Sequence, residues 1–142
     1  MPKPIIAALL FALAPISTFA GEVHEPAKGS QERAAILEAI RPAIEAQMRG
    51  PVEFQIETMR TDGDWAFVMA NPQRPDGRPI DPEETAFAGE ENDMDGLKVL
   101  ALARRVRGRW VHIDDIIGPM DAAQMSWING YQVPKSVIGV SE

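Results

Sequence analysis

The chain of 142 residues contains no cysteine. That excludes a disulfide framework, a lipid-modified cysteine, a thiol nucleophile and any thiolate metal site. With only two histidines, a structural zinc site also lacks donors. No Gly-rich phosphate loop, no Gly-x-Ser-x-Gly elbow and no pair of histidines on one helix face is present. Beyond residue 20 no apolar run approaches the roughly 20 residues that cross a bilayer. Positive charge is short as well: 14 Lys and Arg stand against 21 Asp and Glu, a formal net charge of −7. This acidic balance, read with no basic cluster, argues against nucleic acid and against anionic membrane faces. No cofactor and no metal is implied.

The first twenty residues have a layout of their own. Lys3 precedes an apolar run, I-I-A-A-L-L-F-A-L, which ends before Pro15 and a small-residue exit at Ala20. These three parts predict a secretory signal peptide cleaved after Ala20 and a periplasmic or secreted location, with no membrane anchor left after cleavage. The mature chain would then span residues 21–142 with a net charge of 13 − 21 = −8. That length suits one domain with a single core.

Residues 21–29 are polar and read as a flexible N-terminus. Ser30 is a good helix cap, with Glu32 in the first turn. Ile36, Leu37, Ile40, Ile44 and Met48 follow at spacings of three and four, which predicts one amphipathic helix ended by Gly50-Pro51. Pro42 predicts a kink or break near residues 39–41. Residues 52–60 alternate, with Val52, Phe54 and Ile56 on one face and Glu53, Gln55 and Glu57 on the other. Asp62-Gly63 predicts a hairpin turn with positive φ at both residues, returning through an apolar strand at 65–70. Residues 71–96 carry four prolines and read as a mobile excursion holding a helical turn after Asp81-Pro82.

A second hairpin is predicted from a strand at 97–106 and its return at 109–113. Gly118-Pro119 breaks that strand. Asp121 and Gln124 read as a capping box for a short helix ending near Gly130. A terminal tail follows, docked by Val133, Val137 and Ile138. The fold class is therefore α+β: an N-terminal helix packed on a four-stranded antiparallel sheet made of two hairpins, with a short C-terminal helix. One layer of helix on one sheet is expected.

This order resembles the cystatin-like and nuclear-transport-factor-like folds, in which a curved antiparallel sheet wraps a helix. The stretch 105–118, followed by Met120-Asp121 and Trp127, is similar to small uncharacterised secreted proteins of proteobacteria, a resemblance that implies no activity. The fold resemblance implies a pocket on the concave sheet face, where isomerases and dehydratases use Asp, His and Tyr.

By period two, Trp110, His112 and Asp114 share one strand face, with Trp65 nearby. In that setting His112 is the candidate general base, Asp114 or Asp115 its orienting partner, and Tyr131 a donor to a developing oxyanion. Trp65 and Trp110 are the candidate ligand-binding rings. The competing reading packs both tryptophans as ordinary sheet residues. Glu91, Asp93, Asp95 and Gly96 imitate the start of a calcium loop, but Leu102 stands where its closing Glu belongs. His24 would bind copper or nickel only as the third residue of a mature chain. The methionines Met48, Met59, Met69, Met120 and Met125 scatter as gap-fillers.

The function expected is a non-enzymatic domain that binds an unknown protein or small ligand through the 71–96 excursion. The alternatives are an isomerase or dehydratase using His112 with Asp114, and an acidic inhibitor of a cationic enzyme.

Overall fold

A computed structural model describes residues 21–94, 96–119 and 121–141. The expected signal peptide at 1–20 lies outside the described residues. Ser30 caps α1 (Gln31–Met48) by accepting the Arg33 N–H at 3.2 Å. The stripe does what its spacing predicts: Ile36, Ile40, Ile44 and Met48 are wholly buried. The helix runs unbroken through Pro42, which lies on the exposed side, where a carbonyl that has lost its donor is open to water.

Four antiparallel strands follow in the spatial order β1-β2-β3-β4: β1 (Glu53–Thr61), β2 (Trp65–Gln73), β3 (Val99–Val106) and β4 (Arg109–Ile117). α1 grips the start of β1. The Val52 N–H donates to Glu45 Oε2 at 3.0 Å, and Arg41 donates to the Val52 carbonyl while lying over the Phe54 ring.

The two hairpin turns differ from each other and, in one case, from expectation. Asp62 does not take positive φ; only Gly63 does, at 93°. The Asp62 carboxylate instead accepts the N–H groups of Asp64 and Trp65 at 2.9 and 2.7 Å, so the side chain builds the turn. The turn with two left-handed residues is Arg107-Gly108, at φ 52° and 77°.

β2 and β3 are apolar on both faces and are buried from both sides. On one side α1 covers Ala66, Val68, Ala70, Val99, Ala101 and Ala103. The small alanines let the helix sit close. On the other side Trp65, Phe67, Leu100 and Leu102 pack against Trp127, Val133, Val137 and Ile138. These last come from α2 (Ser126–Tyr131), α3 (Lys135–Ile138) and, for Val133, the connection between them. The single helix layer of the expectation is therefore incomplete, because the C-terminal segment forms a second one. Arg60 fastens it, lying over Phe67 and donating to the Val137 and Ile138 carbonyls at 2.9 and 2.7 Å. Burial among these groups lowers the Arg60 pKa below its ordinary value. The expected Asp121 cap does not form. Asp121 has φ 57°, and a 3-10 turn at Ala123–Met125 leads into α2 instead.

The N-terminal segment is not loose. His24 exchanges two backbone hydrogen bonds with Thr61 at 2.9 and 3.0 Å, and Pro26 is buried. The excursion is likewise tied down. Arg74 donates to the Met48 and Pro51 carbonyls at 2.9 and 3.2 Å, the Ala86 N–H donates to the Gln47 carbonyl at 2.9 Å, and Thr85 is wholly buried. The last turn of α1 has carbonyls without intrahelical partners, and the excursion supplies the donors. Among the described residues no helix is long and apolar enough to cross a membrane.

Candidate functional site

β4 runs four residues further than its alternation suggests, to Ile117. A bulge makes this possible. Ala103 pairs with His112 and Leu102 with Asp114, which leaves Ile113 with no partner on β3. From that point the faces exchange. Trp110, His112, Asp115 and Ile117 face α1, because Ala103 and Ala101, opposite His112 and Asp115, pack there. Ile113, Asp114 and Ile116 face the C-terminal helices, because Leu102 and Leu100, opposite Asp114 and Ile116, pack on that side.

The candidate catalytic residues therefore divide between two faces. Against α1, His112 Nε2 lies 2.8 Å from Asp115 Oδ2, and Gln47 Nε2 donates to Asp115 Oδ1 at 2.8 Å and to the Ala43 carbonyl at 3.1 Å. The His112 and Asp115 side chains are 26% and 12% exposed. This network joins helix to sheet and satisfies both carboxylate oxygens. On the other face Tyr131 donates to Asp114 Oδ2 at 2.7 Å. That bond to a carboxylate raises the phenol pKa, because it favours the protonated hydroxyl. His112 and Asp114 do not meet, and Tyr131 is not directed at His112.

The two candidate rings also part. Trp65 packs on the C-terminal side with Arg104 over its ring at 5.0 Å. Trp110 packs toward α1 with Arg105 at 5.8 Å. The sheet face expected to hold a pocket is filled by Trp127, Val133, Val137 and Ile138.

Open space lies elsewhere. A groove of about 260 Å³ opens where β2 ends and β3 begins. Its walls are Pro72, Pro79, Ile80, Pro82 and Leu97, with Asn71 and Lys98 at the rim. Pro72 is tolerated in β2 because pairing to β3 has ended by then, at Ala70 with Val99. Beside the groove, Glu57 is the extra residue of a bulge in β1. It accepts from Asn71 at 2.7 Å and pairs with Lys98 at 3.0 Å. The Asn71 bond first, and then Lys98, lower the Glu57 pKa below the ordinary carboxylate value. A smaller groove of about 180 Å³ lies along the start of α1, lined by Ser30, Arg33 and Leu37. Neither groove touches His112, Asp115 or Tyr131.

Among the described residues no cluster of His, Asp and Glu is arranged to hold a metal ion. Asp95 of the calcium-like segment lies outside the described residues, and Glu91 opens a 3-10 turn, Glu91–Asp93. His24 pairs with Glu32 at 2.9 Å.

Two features escaped the linear reading. Gln47 stands seven residues after Ile40 and three after Ile44, so it is a polar residue at a stripe position; that pattern is the signal of a buried partner. The second feature is Arg104, Arg105, Arg107 and Arg109, four arginines within six residues that the whole-chain charge conceals. Comparison with protein-family models, with curated proteins and with solved structures finds no match for this chain.

Proposed function

We propose that this chain is a non-catalytic binding domain whose groove beside the 74–98 excursion receives an extended partner segment with apolar anchors. The observation that carries this reading is the groove itself. Its walls are prolines and aliphatic side chains, and the segment that builds it is braced against α1 by Arg74 and the Ala86 N–H. A braced groove loses little freedom on binding, which favours affinity. The polar atoms of Asn71, Glu57 and Lys98 at one end would fix the direction of a backbone laid along it. The isomerase or dehydratase reading keeps His112 beside Asp115, its second candidate partner, but has Asp114 and Tyr131 on the other side of the sheet and neither groove at His112.

The test is a phage-displayed library of random linear peptides panned on residues 21–142, with the Pro79→Asp variant as comparison. Pro79 is exposed, so the variant should keep its fold, which circular dichroism would check. Enrichment of peptides with apolar anchors that lose at least about tenfold in affinity for the variant, roughly the cost of one apolar contact, supports the reading. Peptides that bind both chains equally, or no enrichment at all, would sink it.

A further inference from the structure

At the end of the sheet opposite the excursion, the β3–β4 hairpin forms a basic tip. Arg104, Arg105, Arg107 and Arg109 are all exposed, and none makes an ion pair among the described residues. Val106 and Val111, 44% and 41% exposed, stand among them. The last β2–β3 pair is Trp65 with Arg104, so residues 106–109 project past the rest of the sheet. The adjoining turn brings Asp62 and Asp64 to the same end: the Asp62 carboxylate is engaged by that turn's own N–H groups, while Asp64 is exposed and its carbonyl accepts the Arg105 N–H at 2.7 Å, so one exposed acid stands beside four arginines.

The remaining charge of residues 21–142 is −8 − 4 = −12. Much of it sits on the excursion, where Asp76, Asp81, Glu83, Glu84, Glu90 and Asp93 are exposed. Nine residues of β4 separate the two ends. At roughly 3.3 Å per residue this is about 30 Å, several times the Debye length of about 8 Å at physiological salt. A flat anionic surface touched by the tip attracts the four arginines while the acidic end stays screened.

We infer that the Arg104–Arg109 hairpin tip is a contact site for an anionic phospholipid surface. Arginine pairs with headgroup phosphates. Exposed valines beside it gain from the apolar boundary beneath the headgroups, a contact that a nucleic acid backbone does not offer. A long, flexible polyanion would also meet the acidic flanks. The site lies at the opposite end from the proposed groove and does not depend on it.

The test is sedimentation of residues 21–142, which hold every described core residue, with two kinds of vesicle. One is phosphatidylcholine alone; the other is phosphatidylcholine mixed with phosphatidylglycerol. Binding is expected only to the mixed vesicles, falling as salt rises. The double variant Arg107→Asn, Arg109→Ser keeps a left-handed-tolerant residue in the turn and should weaken binding on the order of 25-fold, about fivefold per arginine. Val106→Ser should weaken it less. Equal binding to neutral vesicles, no binding at low salt, or an unchanged double variant would overturn the inference. So would tighter binding to a duplex DNA oligonucleotide than to the mixed vesicles.

Discussion

Asp114 and Asp115 are neighbours in the chain and face opposite sides of the sheet. Asp114 accepts the Tyr131 hydroxyl at 2.7 Å, beside the C-terminal helices, while Asp115 is held at 2.8 Å by both His112 and Gln47 against α1. Each acid anchors a different layer to the same edge strand. The pleat turns neighbours to opposite sides, and the bulge at Ile113 decides which acid takes which; β1 at the other edge carries a bulge too. Bulged edges also resist pairing with a second sheet.

Tyr131 is the protein's single tyrosine, so phenolate absorbance reports it alone. Its midpoint should lie above the ordinary value of 10.0, because the Asp114 carboxylate accepts the hydroxyl proton. Asp114→Asn should bring the midpoint back toward that value. A raised folded pKa adds stability that is complete below the unfolded value and is lost as pH rises through the folded one. The stability that wild type holds over Asp114→Asn should therefore be full below the ordinary tyrosine value and close as pH rises through the folded one. A wild-type midpoint at or below the ordinary value would show that the bond does not persist in solution.

Asp115→Ala should cost more than Asp114→Ala. The first leaves Gln47 and His112 half-buried without their shared acceptor, at about 1–3 kcal/mol. The second frees an exposed hydroxyl that water can serve, so little stability is lost. Urea denaturation of the two variants measures the order; equal costs would mean that the Asp115 network does not brace α1.

Trp127 is 3% exposed and meets Phe67 edge to face, with ring centroids 6.3 Å apart. Trp127→Ala should cost about 3–5 kcal/mol. Removing residues 122–142 should expose Trp65, Phe67, Leu100 and Leu102 together and make the chain bind a hydrophobic dye. A truncated chain that binds no dye and melts like the whole protein would show the C-terminal layer to be dispensable.

The sequence by itself determined the elements whose residues answer to a local period. Ile36, Ile40, Ile44 and Met48 repeat with the turn of a helix, and Val52, Phe54 and Ile56 alternate with the pleat of a strand. The apolar runs in β2 and β3 already demanded cover on two faces, although the cover itself, α2 and α3, was legible only as Val133, Val137 and Ile138 in a tail. The acids at 114 and 115 hid the second half of β4, because two adjacent charges break an alternating pattern. Only the tertiary structure decided which face each acid took. A bulge is set by how one strand registers on the next, and its reward comes from distant partners: Gln47 lies 68 residues before Asp115 and Tyr131 lies 17 after Asp114. The same holds for the charge. Its total is a property of composition, but its separation into a basic tip and an acidic excursion follows from antiparallel pairing, which sends the β3–β4 turn to one end of the sheet and the long connection to the other.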